Sequence, residues 1–235
     1  LDGDGNEDSG LARLKPVISQ LAEEDFNTII ANEIESGALN YLFTYAEWEN
    51  PITDSDAQVD VVFGNSESTW TEKQDGTAAF TVRPDSLDGN DEPKSDLEAA
   101  EVCSSRIRVT GGSAPLRVPA GTGLIPVTLR DVHMTADVEA SPELASGGGV
   151  ALTNGRLGGF VTLESIFDGL NEIARSCDCL QKDVFASSDD QWSCTATDDD
   201  KSACSGEDVL PFCREFLSQP AICGVAAQQI VTNAD

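Results

Sequence analysis

The sequence predicts a mainly β protein, an antiparallel β-sandwich with flanking short helices and a disulfide-rich helical C-terminal tail. Three observations predict it. After Gly37 the apolar period changes from about 3.6 residues to about 2, the signature of half-buried strands. Within the β-like stretch, "LIPVTLRDVHMTADVEA" changes phase: Ile125, Val127 and Leu129 share one side, but Val132, Met134, Ala136 and Val138 share the other. A slip of one residue requires a bulge or a strand passing from one sheet to another. Finally, Cys177, Cys179, Cys194, Cys204, Cys213 and Cys223 crowd the last third, and only Cys103 stands apart.

Residues 1–10, "LDGDGNEDSG", read as an Asp/Gly-rich tether. Leu14, Ile18 and Leu21, then Phe26, Ile29, Ile30 and Ile34, recur at helical spacing and predict helices over 14–23 and 25–36. Pro16 is tolerated in a first turn, and Gly37 supplies a stop. "ALNYLFTYAEW" places Leu39, Tyr41, Phe43 and Tyr45 on one strand face. "VDVVFG", "GTAAFTVRP", "RIRVTGG" and "LRVPAG" continue the pattern, and "GVALTNGRLGGFV" reads as two short strands across an Asn154-Gly155 turn. Gly158 and Gly159 permit close backbone approach. Thr162 is an N-cap for a helix whose apolar stripe is Leu163, Ile166, Phe167, Leu170 and Ile173. Another helix is expected near "GEDVLPFCREFLSQP", and "QQIVTNAD" reads as a short β-prone segment available for strand addition. The expected division is a tether over 1–10, a helix-flanked sandwich over 11–175 and a cysteine-rich subdomain over 176–235.

The chain has 235 residues, 42 Asp+Glu against 14 Lys+Arg and a net charge of -28, which repels phosphate backbones and argues against nucleic acid. The acidity fits either a saline habitat or divalent-cation binding. Arg106, Arg108, Arg117 and Arg130 fall in one short region, where cross-strand ion pairs with the surplus carboxylates or an anion-binding face are open readings. No apolar run approaches the ~20 residues of a transmembrane helix. The chain opens inside a Gly/Asp-rich tract, from which an exported protein with its signal removed is expected.

Seven cysteines suit an oxidising, extracellular location. No C-x2-C pair exists, and His133 is the single histidine, which argues against zinc. Cys194 and Cys204 flank "TATDDDKSA" at the shortest useful spacing, so a bridge between them is expected. Cys177 and Cys179 then pair with Cys213 and Cys223, leaving Cys103 free.

Calcium is the cofactor the acidic loops suit, through hard oxygen ligands. Asp2, Asp4, Asn6 and Asp8 occupy alternate positions, although Glu7 and Arg13 stand where an EF-hand loop needs glycine and glutamate. Asp85, Asp88, Asn90 and Asp91, with Glu92, form a second candidate, and Asp54, Asp56 and Asp60 a third. For the first stretch a tether, and for the other two a solvated loop, is the leading reading, with a cation site as the alternative. Asp198, Asp199 and Asp200 read as a plain charge run. His133 alternates with Val132 and Met134 as a solvent-facing strand residue, which leaves no base for a Ser-His-Asp triad. Trp48, Trp70 and Trp192 near loops are candidates for carbohydrate contact, or for packing.

The opening "DGDGNEDSGLARLKPVISQLAEEDFNTIIANEIESGALNYLFTY" and the later "IPVTLRDVHMTADVEA…GVALTNGRLGGFVTLESIFDGL" resemble secreted, lipoprotein-like surface proteins from myxobacteria and related predatory bacteria, over about residues 1–175. The resemblance implies export and an envelope location, and carries no catalytic residues. The reading is an exported structural or adhesive envelope protein with protein partners or self-association at the cell surface. The alternatives are a calcium-assisted carbohydrate-binding module that takes glycans and, third, a carboxylate-dependent hydrolase.

Overall fold

The computed structural model describes residues 26–36, 40–46, 50, 52–65, 78–98, 100–120, 123–141, 149–188 and 191–234. The Asp2, Asp4, Asn6 and Asp8 candidates, the helix expected over 14–23, Trp48 and Trp70 lie outside these. The fold is mainly β and antiparallel, with short helices and three disulfides in the C-terminal region. Contacts group the chain into a sheet unit, Asn32–Leu116 with Thr128–Phe160, and a second unit, Leu1–Ala31 with Arg117–Val127 and Val161–Asp235.

Helix α1 (Phe26–Ser36) leads into β1 (Tyr41–Ala46), which pairs antiparallel with the long β2 (Thr53–Asn65). That register sets Phe43 opposite Val61, Tyr45 opposite Val59 and Tyr41 opposite Phe63, with the last two rings edge-on at 5.5 Å. The described residues of the "GTAAFTVRP" stretch supply only β3 (Thr81–Val82), and a 3-10 turn, Pro84–Ser86, follows. Then come β4 (Asp96–Leu97), β5 (Ala100–Cys103), β6 (Arg106–Thr110), β7 (Gly112–Ala120), β8 (Gly123–Ser141) and β9 (Gly149–Val161). The sheet runs β1-β2-β5-β6-β8-β7-β4, with β3 on β2 and β9 on β8. Just before β4, Ser95 reaches the long β2: its hydroxyl accepts from the Val61 N–H at 3.0 Å and donates to Asp60 at 3.1 Å. A buried ladder donor on β2 is thereby satisfied without a strand partner.

Beneath lies an apolar cluster of Ala57, Val59, Ala100, Val102, Ile107, Val109, Met134, Ala136 and Val138. Each side chain comes from every second residue of its strand, as a one-sided core demands. Burial pushes the Tyr45 hydroxyl, at the edge of this cluster, up to about 12.

The phase slip in β8 is a bulge. Ile125, Val127 and Leu129 are buried, Arg130 and Asp131 are both exposed, and burial resumes at Val132, Met134, Ala136 and Val138. Asp131 takes the left-handed conformation at φ 49°, which Asp tolerates better than most residues. Gly159 of β9 closes on this bulge: a Cβ there would come 2.6 Å from the Arg130 carbonyl oxygen and 2.7 Å from Leu129 Cγ. The division between units falls at Val127–Thr128, just ahead of the bulge.

In the second unit, α2 (Leu163–Ser176) is capped by Thr162, whose hydroxyl accepts from Ser165 N at 3.2 Å. Its inner side buries Ile166, Phe167, Leu170 and Ala174. Gly169 also lies on that side, where a Cβ would collide with the Pro126 carbonyl oxygen and come within 3.0 Å of Ile125 Cγ2. Gly→Ala inside a helix ordinarily stabilises by about 1 kcal/mol. Here the collision decides the sign, and Gly169→Ala is expected to destabilise by about 1–3 kcal/mol. A higher melting temperature for the variant would contradict this packing.

After α2 come the hairpin β10 (Phe185–Ser188) and β11 (Gln191–Cys194), the short α3 (Asp198–Ala203), a π-helical turn Phe212–Leu217 and α4 (Pro220–Ala234). Buried Asn171 anchors the hairpin: its Oδ1 accepts from Val184 N at 3.0 Å and Phe185 N at 2.9 Å, and its Nδ2 donates to Phe185 O at 2.9 Å. Trp192 stacks on Phe167 at 4.5 Å, and Phe185, Phe216 and Phe212 extend the aromatic row.

The disulfides join Cys177 to Cys213, Cys179 to Cys204 and Cys194 to Cys223, and Cys103 is free and exposed. The expected Cys194–Cys204 bridge is therefore corrected, and so is a Cys179 bond to Cys213 or Cys223. The physical reason lies in "TATDDDKSA", which needs no covalent closure. Thr197 and Asp200 form a capping box that starts α3, and Lys182 bonds the Asp200 carboxylate at 2.7 Å. Burial works against the charged form of Asp200. The bonds from Lys182 and Thr197 outweigh it and hold that carboxyl below the usual range. Asp198–Asp200 are the acidic first turn of a helix rather than a plain charge run.

Candidate interaction surface

Strand β9 combines features not seen together elsewhere among the described residues. It does not contain the expected hairpin at Asn154-Gly155, because one strand runs from Gly149 to Val161. Asn154 does take the left-handed conformation, at φ 52°, but uses it for a bulge. Thr153 Oγ1 donates to Glu139 at 3.0 Å, and the next residue's side-chain amide donates to Asp137 at 2.9 Å. Two successive side chains thus point to the same side, where Asp137 also lies. Further along, Gly158 runs beside the His133 carbonyl and Gly159 beside Arg130, so β9 is antiparallel to β8.

From Asn154 to Phe160 every residue is exposed, including Leu157 at 41% and Phe160 at 54%. Among the described residues β9 pairs with β8 alone. Its 13 residues hold one charged side chain, Arg156, and neither lysine, proline nor acid. Exposed edges are ordinarily blunted by charge or proline, since their unpaired backbone groups recruit other strands. A chain with 42 acidic residues had the means to protect this edge, yet among the described residues β8 is its one strand partner.

The segment expected to offer such an edge does not. "QQIVTNAD" falls in α4 up to Ala234, where Cys223, Ala226, Ala227 and Ile230 form the buried stripe. The β-prone Ile230–Thr232 run is overridden by helical burial spacing and by the bond from Cys223 to Cys194.

The remaining candidates are distributed as follows. Arg106 lies opposite Asp137, with a loose ion pair at 3.8 Å, and Arg108 lies opposite Glu101 and Thr135, as cross-strand pairing anticipates. Arg117 belongs to the other unit. It lines a cleft of about 250 Å³ with Leu124, Pro126, Glu172, Ile173 and Phe212. His133 is exposed and sits 3.5 Å from Asp131.

Asp85 is held by two bonds from Arg83, at 3.1 and 2.9 Å. The Asp88 carboxylate accepts from the backbone N–H groups of Asn90, at 2.7 Å, and Glu92, at 3.0 Å, which hold it below the usual carboxylate range. Asn90 also donates its side-chain amide to Asp88 at 3.3 Å, and Asp91 turns the chain at φ 63°. Asp88 thus organises its own loop. Among the described residues no three His, Cys, Asp or Glu side chains are grouped to hold a metal. Trp192 packs in the aromatic row rather than standing exposed for a sugar.

Compared with family models, curated proteins and solved structures, the chain matches none.

Proposed function

We propose that this protein is an exported component of the cell envelope that acts through its surface rather than by catalysis, as a subunit of an extracellular assembly or an adhesive module. The exposed, nearly uncharged edge of β9 carries the reading, because strand addition is the use for which such an edge is suited. Three disulfides are compatible with an oxidising location, and no helix among the described residues is long and apolar enough to cross a membrane. The resemblance to secreted, lipoprotein-like surface proteins agrees with this location.

Light scattering over a concentration series, with and without EDTA, tests the reading. The expected mass rises above the 24.9 kDa of one chain as concentration rises, and the chelator leaves both mass and melting temperature unchanged. A monomer whose melting temperature falls by several degrees in EDTA would instead support the calcium-assisted, glycan-binding alternative, by mass-action linkage. A monomer indifferent to the chelator would overturn the assembly reading.

A further inference from the structure

We infer that the occupant of the β9 edge is the β9 edge of a second copy, paired antiparallel about a two-fold axis at Leu157. The inference rests on the self-associating reading above and adds its surface, register and partner.

The register follows from the two sides of the strand. Beyond the bulge at Thr153–Asn154, the residues Arg156, Gly158 and Phe160 follow Asn154 on the side where Asp137 and His133 lie. By strand alternation Leu157 falls on the opposite side, and it is 41% exposed. A two-fold at Leu157 sets this side chain against its own symmetry mate, so each covers the other's exposed apolar surface. An isologous contact of this kind requires self-complementarity, which an apolar residue on the axis provides.

The same register offers charge complementarity on the other side. Arg156 falls opposite Gly158 of the second copy, which has no side chain to obstruct it. Gly158 runs beside His133, and the exposed Asp131 carboxylate lies 3.5 Å from that imidazole. Two strand spacings amount to roughly 9.6 Å, within the joint reach of an arginine and an aspartate. Each guanidinium can therefore cross the other copy's Gly158 towards its Asp131. Two molecules of charge -28 repel one another, and reciprocal arginines at the point of contact offset that repulsion locally. An edge this short buries less than the ~1,200 Å² of a standard interface, so the dimer is expected to depend on concentration.

Cross-linking tests the register directly. In a Cys103→Ser background, Leu157→Cys places two thiols on the axis. Gly155→Cys, at a site with open space around it, places them about four residues apart, beyond disulfide reach. With copper phenanthroline as oxidant, Leu157→Cys is expected to form covalent dimer at least tenfold faster than Gly155→Cys. As an independent readout, Arg156→Glu at its exposed position should weaken association at least tenfold by light scattering. Equal cross-linking at both positions, or undiminished association of Arg156→Glu, would overturn the register. If Leu157→Cys fails to cross-link while the wild type still associates, the β9 contact is wrong and the functional reading stands. A wild type that stays monomeric at every concentration overturns both.

Discussion

Reduction of the three disulfides is expected to unfold the cysteine-bonded unit while leaving the sheet unit's β signal in place. The closed loops span 36, 25 and 29 residues. On the chain-entropy model each contributes about 3.5–4 kcal/mol. The Cys194–Cys223 loop interlocks with the other two, so the contributions do not simply add. Together they still rival the ~5–15 kcal/mol that separates most folded domains from their unfolded chains. All six sulfurs belong to residues of this one unit, and the disulfides tie α2, β11, α3, the π-helical turn and α4 into one body. The sheet unit carries only the free Cys103 among its described residues. Circular dichroism in reductant should therefore lose most of its helical signal and the aromatic band of the stacked Trp192, and retain a β component. A reduced protein with an unchanged helical signal and melting curve would show that packing alone holds this unit.

Asn171→Ala should cost about 3–5 kcal/mol. The side chain is 4% exposed and makes three hydrogen bonds to the backbone at the start of β10. Removing it leaves the Val184 and Phe185 N–H groups and the Phe185 carbonyl without those bonds, in a site where Val184 and Phe185 are fully or almost fully buried. Each stranded buried group costs about 1–3 kcal/mol, reduced where relaxation admits water. Asn171→Asp keeps acceptors for both N–H groups but turns a carboxylate oxygen towards the Phe185 carbonyl, so it should also destabilise. Urea melts of the oxidised proteins measure the cost, and amide exchange locates it at residues 184 and 185. A loss below about 1 kcal/mol for Asn171→Ala would contradict the anchoring role.

What the sequence disclosed and what it hid separate by physical range. The bulge at Arg130–Asp131 was legible because a buried strand must alternate, and a change of phase in the apolar residues has few causes. The Thr162 cap was legible because it sits next to the stripe it serves. Asn154-Gly155 misled for the same local reason. Left-handed Asn serves a turn or a bulge equally well, and only the pairing of Thr153 and Asn154 with Glu139 and Asp137 distinguishes them. The converse occurs between β5 and β6, where Ser104 and Ser105, at φ 53° and 59°, make a tight left-handed turn from residues that carry no strong turn signal.

Disulfide pairing was hidden because it is a long-range property. Spacing favoured Cys194 with Cys204, but an Asp200 carboxylate held by Lys182 and Thr197 already fixes that loop. Asn171 gave no signal at all, since a polar residue on the inner face of a helix declares its purpose only once its backbone partners are in place. The helical stripe of Cys223, Ala226, Ala227 and Ile230 was there to be read, behind the stronger β propensity of Ile230 and Val231.

The claim that β9 is a working edge is met most directly by amide hydrogen exchange along residues 155–160 as a function of protein concentration. Outward-facing amides of an unpaired edge exchange within the shortest labelling time, and pairing with a second copy protects them. The account predicts protection confined to this stretch that grows with concentration and disappears in Arg156→Glu. Exchange that stays fast at every concentration while light scattering reports association would contradict it.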